Sequence, residues 1–143
     1  MSAVIDAHLI AALVLPLPYS EQATQRMVNW QRLGTELIAP VLLEYEMAAI
    51  LRKAIVAQWL TTDLAVEALD TITELNVRCA TPTRHLHERA LAWAARLGHS
   101  KAYDAHYLAL AEQEGAEFWT ADRRLANGAQ QAGAGSVHWI GEA

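Results

Sequence analysis

Several acidic residues in the sequence have positions at which folding could gather their carboxylates. Asp6 closes the apolar run of one predicted strand and Asp122 follows the apolar run of another, so both fall at the carboxyl ends of strands. In open α/β sheets, ligands bind at that edge. Asp104 lies in the predicted first turn of a helix, and a further helix carries both Glu44 and Glu46. The pattern predicts a group of carboxylates at one edge of a sheet.

Carboxylates that share a site repel one another, which raises a pKa or favours a bound divalent cation. Glu44 and Glu46 are two residues apart, about 160° around a helix of 3.6 residues per turn, so only one of them can face the shared site. Periodicity alone does not choose between them. Taken singly, Asp6, Asp104 and Asp122 could equally be helix N-caps or first-turn acids that interact with the helix dipole.

The chain has 143 residues, the size of one ordinary domain, and we expect a single domain over 1–143. Hydrophobic residues make up 53% and charged residues 19%, which is typical of a globular protein and not of a disordered one. Asp6 and His8 interrupt the apolar N-terminal stretch and no basic segment precedes it, which fits poorly with a signal peptide or a membrane-spanning helix. We expect a cytoplasmic protein. The single cysteine, Cys79, cannot form an intramolecular disulfide.

The net charge of −5 comes from 16 acidic and 11 basic residues, and it argues against broad electrostatic attachment to nucleic acid. A local basic rim is still compatible with this charge. Arg52 stands next to Lys53, and Arg123 next to Arg124, close in sequence to the acidic motifs. These groups are either solvated helix surface or phosphate contacts.

Apolar runs alternate with helical patterns from end to end, which predicts a mainly parallel sheet with helices on its faces. Pro16 and Pro18 end the first helix, and Ser20 is a candidate N-cap for the second. The predicted strands are 2–5, 36–39, 76–80, 116–120 and 137–140. The predicted helices are 9–15, 20–33, about 40–57, 61–75, about 84–97, 103–114 and 123–131. The predicted buried face of the fourth helix consists of Leu64, Ala65, Ala68, Leu69 and Ile72.

Three stretches, in this order along the chain, resemble the PIN-domain nucleases, and in particular the VapC-type toxins of bacterial and archaeal toxin–antitoxin pairs. They are VIDAH, APVLLEYEMAAILRK and AYDAHYLALAEQEGAEFWTADRRL. Their most specific parts are the acid after the first strand, the Pro-x-x-x-x-x-Glu-x-x-x-x-Leu-Arg pattern from Pro40, the Tyr-Asp-Ala at Tyr103 and the Thr-Ala-Asp at Thr120. The resemblance covers nearly the whole chain. It implies a three-layer α/β/α PIN-like domain with a central, mainly parallel sheet flanked by helices.

The resemblance also implies a Mg²⁺- or Mn²⁺-dependent endoribonuclease, and it selects Glu46, with Glu44 as a flanking surface acid. The implied metal ligands and catalytic groups are Asp6, Glu46, Asp104 and Asp122. Thr120 would orient Asp122 or a metal-bound water. Arg52, Arg123 and Arg124 are candidate contacts for the RNA phosphates. The implied partners are the RNA substrate, a cognate antitoxin and a second copy of the chain; Tyr19, Trp30 and the helix at 9–15 are candidates for such an interface.

The histidines give weaker signals. His8 occupies a position where these toxins often have a small polar residue, and a structural role is favoured over contact with substrate or metal. His85 and His87 are two residues apart on one predicted helix and diverge, which makes them a poor chelating pair, and His99 and His106 are no stronger. The sequence therefore does not predict a zinc enzyme.

Three other functions compete with a toxin nuclease. The first is a non-catalytic PIN-like module whose acids are caps and whose role is to bind a protein. The second is a stand-alone PIN nuclease that processes RNA. A phosphate- or nucleotide-binding α/β domain ranks last, because no glycine-rich loop follows the first strand.

Overall fold

The computed structural model describes residues 1–142. Within them, helices and strands alternate along the chain. The strands are β1 (Ser2–Ile5), β2 (Glu36–Pro40), β3 (Arg78–Ala80), β4 (Glu117–Thr120) and β5 (Val137–Trp139). The helices are α1 (Ala7–Val14), α2 (Ser20–Leu33), α3 (Leu42–Val56), α4 (Thr62–Glu74), α5 (Arg84–Leu97), α6 (Tyr103–Glu114) and α7 (Arg123–Gln131), followed by a 3₁₀ turn at Ile140–Glu142.

The five strands form one parallel sheet in the order β3-β2-β1-β4-β5. The chain first moves outward from β1 to β3 and then returns past β1 to β4 and β5. Because crossovers between parallel strands are right-handed, this reversal puts the helices on both faces of the sheet. Helices α1 to α4 pack together on one face, and α5 packs on α6 on the other. The three-layer α/β/α fold predicted from the sequence is confirmed.

The three central strands hold the middle of the core. Val4 and Ile5 of β1, Ile38 of β2 and Phe118 of β4 are at most 1% exposed, and they belong to one continuous cluster of buried side chains. Such continuous apolar strands are expected in a parallel sheet that is covered on both faces. In the described part of the chain, no helix combines the length and the apolarity needed to cross a bilayer.

The predicted bounds of β1, α2, α6 and α7 match the structure. Ser20, however, is not the N-cap of α2. The cap residue is Tyr19, which makes no side-chain cap bond, and the Ser20 hydroxyl instead donates to the carbonyl of Leu15 at 2.7 Å and accepts from the N–H of Leu17 at 2.9 Å. Strand β3 begins two residues later than predicted, because Asn76 has φ of 54°, which extended strands do not adopt.

The predicted buried face of α4 is only partly right. Ala65 and Ala68 are buried, whereas Leu64 is 48% exposed and Leu69 is 44% exposed. The helix packs on α1 and α3 through its small residues. The close approach that the alanines allow leaves the larger neighbours at the rim of the contact.

The predicted interface at 9–15 is wrong for most of its residues. Leu9 and Ile10 of α1 are fully buried, and Trp30 is 5% exposed in the core. Large apolar side chains that do reach the surface include Val28 and Leu33 of α2, at 58% and 61% exposed. They also include Tyr45 of α3, at 71%, and Trp59 after α3, at 62%.

Candidate active site

Asp6 lies between β1 and α1, and its side chain caps the helix. Its Oδ1 accepts a hydrogen bond from the N–H of Leu9 at 2.9 Å, and its Oδ2 accepts one from the hydroxyl of Thr120. The residue is only 2% exposed. Burial raises the pKa of Asp6 from 3.8 to about 6; the two hydrogen bonds and nearby His8 oppose this shift, and the charge of Asp104 adds to it. Asp6 is therefore a carboxylate fixed in position where its charge is poorly solvated.

Thr120 connects Asp6 to Asp122. It ends β4, which neighbours β1 in the sheet, and it is fully buried. Its hydroxyl donates to Asp6 and accepts from the backbone N–H of Asp122 at 2.9 Å. Asp122 in turn caps α7 by accepting from the N–H of Leu125 at 3.1 Å. The hydroxyl thus bonds the Asp6 carboxylate and the Asp122 backbone, and not the Asp122 carboxylate.

Asp104 stands in the first turn of α6 and is half-buried. Burial raises its pKa first, and the charge of Asp122 raises it further, while His8 and His99 lower it. Because Asp104 also raises the pKa of Asp6, it lies within the electrostatic reach of both other aspartates. His8 is exposed beside this group.

Glu46 reaches the same region from α3. It is half-buried, and the hydroxyl of Tyr107 donates to its Oε1 at 2.5 Å. Tyr107 is 1% exposed, and burial, then Glu46, raises its pKa, so it remains a protonated donor. It stands three residues after Asp104 and therefore on the same face of α6. The apolar pattern of this helix marks Tyr107 as a core residue, and its spacing of three residues from Asp104 was the available signal for a role at the site.

Glu44 lies apart from this group. It is exposed, and its charge contributes, after burial, to the raised pKa of the Cys79 thiol next to β2. Glu46, two residues further on, faces Tyr107. The two glutamates therefore point to different surroundings, as their spacing on a helix requires.

The donor chemistry of the four acids fits a hard divalent cation, because carboxylate oxygens are the ligands such ions prefer. In residues 1–142, the ion pairs to lysine and arginine involve other acids, namely Glu36, Glu88, Glu112 and Glu114. The carboxylates at the sheet edge thus lack a basic side-chain partner within that range. Over the same residues, no three acidic, histidine or cysteine side chains converge closely enough to enclose an ion. The four acids therefore supply the oxygen ligands that a hard divalent cation prefers, but they do not surround a single ion position.

An open cleft of 440 Å³ borders two of these acids. It is lined by Glu46, Asp104 and Tyr103 together with the loop that joins α5 to α6, Gly98 to Lys101. Lys101 is exposed in that loop and supplies a cation at the rim. Sequence reasoning did not select Lys101, because a loop residue has no periodic pattern that would mark it.

Of the three candidate arginines, Arg123 lies nearest in sequence to an acid of the site. It follows Asp122 and is exposed, and its guanidinium carbon lies 4.9 Å from the centroid of the Trp139 ring. Trp139 is the register partner of Thr120, so the ring stands at the same edge of the sheet. Arg124 and Arg52 are exposed.

A more apolar cavity of 320 Å³ lies at the other end of the strands. Trp93, Phe118 and Val137 contribute to its lining, and its one carboxylate, Glu112, is paired with Arg89 at 2.8 Å. It brings no group of carboxylates together, so the candidate site is the acidic edge.

The topology gives this edge its significance. Asp6 follows β1 and Asp122 follows β4, and between these two strands the direction of the chain across the sheet reverses. Ligands of open α/β sheets bind at such a point. The model of the family described as "PIN domain" matches residues 3–130. The chain belongs to the PIN-domain family.

Among individual PIN proteins, the chain is 36% identical over 129 residues to Ribonuclease VapC3 of Pyrobaculum aerophilum, covering 88% of this chain and 93% of that protein. The fold also resembles the crystal structure of PAE2754 from Pyrobaculum aerophilum, with a TM-score of 0.66, 22% identity and coverage of 99% of this chain and 94% of the other. The resemblance to VapC-type PIN domains found in the sequence is confirmed.

Proposed function

We propose that this PIN domain is a Mg²⁺- or Mn²⁺-dependent endoribonuclease that hydrolyses RNA phosphodiester bonds and acts as the toxin of a toxin–antitoxin pair. One observation carries the proposal: three aspartates lie close enough for their charges to interact. The charge of Asp104 raises the pKa of buried Asp6, and the charge of Asp122 raises the pKa of Asp104. Uncompensated carboxylates at the ligand-binding edge of a sheet favour a cation from solution. The similarity to a protein named as a ribonuclease supports the choice of RNA.

The residues proposed to hold the cation, directly or through waters, are Asp6, Glu46, Asp104 and Asp122. A bound Mg²⁺ or Mn²⁺ would stabilise charge on the phosphate and help to ionise the attacking water. The open arrangement of the carboxylates suits these ions, since Mg²⁺ commonly retains several waters and takes few protein ligands.

The protein's own contribution is to fix these carboxylates. Leu9 and Thr120 hold the two oxygens of Asp6, so Thr120 acts on Asp6 and on the backbone of Asp122. The hydroxyl of Tyr107 holds one carboxylate oxygen of Glu46 in the same way. Such bonded partners set the direction in which a ligand oxygen faces a cation. Asp104 borders the open cleft, where it can accept a proton from the attacking water.

The RNA chain is proposed to follow the basic and aromatic groups next to the acids. Arg123 lies against Trp139 with its outer face exposed, which suits contact with a phosphate or a base. Lys101 is suited to a phosphate on the other side of the cleft. Arg124 and Arg52 are exposed cations available for longer-range attraction. Localised contacts of this kind are compatible with a net charge of −5, because they require only a few positive groups beside the acids.

The proposed protein partners are a cognate antitoxin and a second copy of the chain. The exposed side chains of Tyr45, Trp59 and Leu64 support an interface on the α3 and α4 side, because apolar surface of this kind is covered in many assemblies. Light scattering coupled to size-exclusion chromatography measures the mass of the free chain. A dimer that becomes monomeric in the Trp59→Glu variant is the expected result.

Cleavage of a labelled RNA by the purified protein tests the catalytic proposal. We expect cleavage with Mg²⁺ or Mn²⁺ and none with excess EDTA. Glu46→Gln should lower the rate by about 100-fold or more, as expected for loss of a catalytic carboxylate. Glu44→Gln, on the same helix and two residues away, should leave it unchanged. Equal effects of the two substitutions, or full activity of both Asp6→Asn and Asp104→Asn, would contradict the proposal.

A non-catalytic PIN-like module is the second candidate, because the side chains of Asp6 and Asp122 both cap helices and so have a structural role without a metal. Calorimetric titration with Mn²⁺ separates the two functions. Heat that disappears in Asp6→Asn supports the nuclease. A wild-type protein that takes up no Mn²⁺ and cleaves no RNA supports the binding module.

A further inference from the structure

Two histidines from different helices contact each other at the surface, and neither lines the cleft beside the acids. His87 stands near the start of α5 and His106 in the first half of α6. Nδ1 of His87 lies 2.8 Å from Nε2 of His106, the ring centroids are 5.0 Å apart, and the ring planes cross at 73°. The sequence did not predict this contact, because the two histidines are 19 residues apart and lie on different helices.

We propose that His87 and His106 form a bidentate site for a borderline transition-metal ion such as Ni²⁺, Cu²⁺ or Zn²⁺, separate from the carboxylate site. Imidazole nitrogen is a preferred ligand of these ions, whereas Mg²⁺ and Mn²⁺ prefer oxygen. The proposal does not depend on the nuclease function.

The hydrogen bonding of His106 leaves it ready to bind a metal. Its Nδ1 lies 2.7 Å from the carbonyl oxygen of Ala102. A carbonyl oxygen only accepts, so Nδ1 carries the hydrogen, and in the neutral ring Nε2 keeps its lone pair. Metal-binding histidines are usually held in this way, with the second ring N–H donated to a backbone carbonyl or a carboxylate. Nε2 faces His87 and accepts the Nδ1–H of that ring in the metal-free protein, so an ion shared by the two rings requires this hydrogen to move to Nε2 of His87.

The spacing of the two nitrogens suits particular ions. With metal–nitrogen bonds of about 2.0–2.1 Å, nitrogens as close as these subtend roughly 90° at a shared ion. That is the angle between neighbouring ligands in the tetragonal geometry of Cu²⁺ and Ni²⁺. Tetrahedral Zn²⁺ would need the nitrogens to move to about 3.3 Å apart, which side-chain rotation can supply. We therefore expect Cu²⁺ and Ni²⁺ to bind with less rearrangement than Zn²⁺.

The surroundings permit access and hold the two helices in place. His87 is exposed and His106 is half-buried, so an ion can approach from solvent. Further along the same helix pair, Arg89 binds Glu112 through two hydrogen bonds of 2.8 and 3.2 Å. Within residues 1–142 no third histidine, cysteine or acid completes the site, so water fills the other coordination positions.

The site is distinct from the carboxylate site although both use α6. His106 stands two residues after Asp104, about 160° away around the helix at 3.6 residues per turn. An ion between the histidines would link α5 to α6 without contacting the acids. Its expected effect is to stabilise the helix pair and not to replace the proposed catalytic cation.

Equilibrium dialysis of the tag-free protein against Ni²⁺ tests the proposal, with unfolding midpoints recorded over the same concentrations. Wild-type protein should bind one more Ni²⁺ than His87→Ala, and its unfolding midpoint should rise with Ni²⁺ while that of the variant stays constant. His106→Ala should behave like His87→Ala.

His85→Ala is the matched control, because His85 is exposed on the same helix, two residues from His87. It should retain the wild-type uptake. Titration with Mn²⁺ should be the same for wild type and His87→Ala. The proposal would be overturned if His87→Ala bound as much Ni²⁺ as the wild type, or if His85→Ala lost as much uptake as His87→Ala. Since His87 is exposed, its replacement should leave the metal-free fold and its midpoint unchanged.

Discussion

Replacing Asp6 with asparagine should stabilise the metal-free protein at neutral pH. The fold raises the pKa of this buried carboxyl group from 3.8 to about 6. A group with a higher pKa in the folded state binds its proton more tightly there, so folding stability falls as the pH rises from about 4 to about 6 and the loss is complete above that range. A shift of about 2 units corresponds to about 3 kcal/mol.

Asparagine removes this charge but does not reproduce every hydrogen bond. Its carbonyl oxygen can accept from Leu9, and its amide can donate to the Thr120 hydroxyl. The second amide N–H and the Thr120 O–H, which donates to Asp6 in the wild type, are then left without an evident acceptor, at a cost of roughly 1 kcal/mol each. The net gain at pH 7.5 should be about 1 kcal/mol, or on the order of 3 °C in unfolding midpoint for a chain of this length.

Urea unfolding of both proteins in EDTA, at intervals between pH 4 and pH 8, measures this effect. The advantage of Asp6→Asn should be largest above pH 6.5 and should shrink or reverse towards pH 4. On the proposed role of Asp6 as a metal ligand, saturating Mn²⁺ should reverse the order at pH 7.5, because the variant lacks this carboxylate and a ligand at 100 times its dissociation constant adds about 2.7 kcal/mol. An advantage that does not change with pH, or a variant that is less stable in EDTA at pH 8, would refute the reasoning.

Three further substitutions test the remaining contacts. Thr120→Val keeps the shape of the side chain but leaves Asp6 with one hydrogen bond fewer, and should cost about 1–3 kcal/mol in urea unfolding at pH 7.5, with Thr120→Ser close to wild type; an unchanged stability would contradict the bond. Tyr107→Phe should preserve the fold and weaken Mn²⁺ binding by calorimetry about 10–100-fold, through the loss of the partner of Glu46, and wild-type affinity would remove Tyr107 from the site. Arg123→Ala should weaken binding of RNA to a catalytically inactive variant and reduce the slope of log affinity against log salt by about 1, whereas the same slope in wild type and variant would show that Arg123 does not touch a phosphate.

The sequence predicted the sheet and most element bounds because those depend on local signals. Three helices end at a glycine with positive φ, namely Gly34, Gly98 and Gly115. The order of strands and acids along the chain was enough to put Asp6 and Asp122 at one edge.

The wrong predictions of buried residues and the missed contacts have one physical cause. Helical periodicity shows which side chains share a helix face, but it does not show which element packs on that face. Leu64 and Leu69 follow the apolar pattern and still lie largely in solvent, because α4 approaches its neighbours through alanines. The role of Tyr107 and the meeting of His87 with His106 depend on contacts between distant segments. No local pattern in a single sequence encodes such contacts.

The hydrogen bond between Thr120 and Asp6 joins residues that are 114 positions apart. During synthesis Asp6 leaves the ribosome early. Strand β4 can pair with β1 only after most of the remaining chain has been made. Closing the loop between such distant residues costs chain entropy, which makes long-range pairings slow to form. A nascent or truncated polypeptide that ends before β4 would therefore lack Thr120 and Asp122, which would keep the proposed nuclease harmless to the RNA of its own ribosome until its synthesis is almost finished.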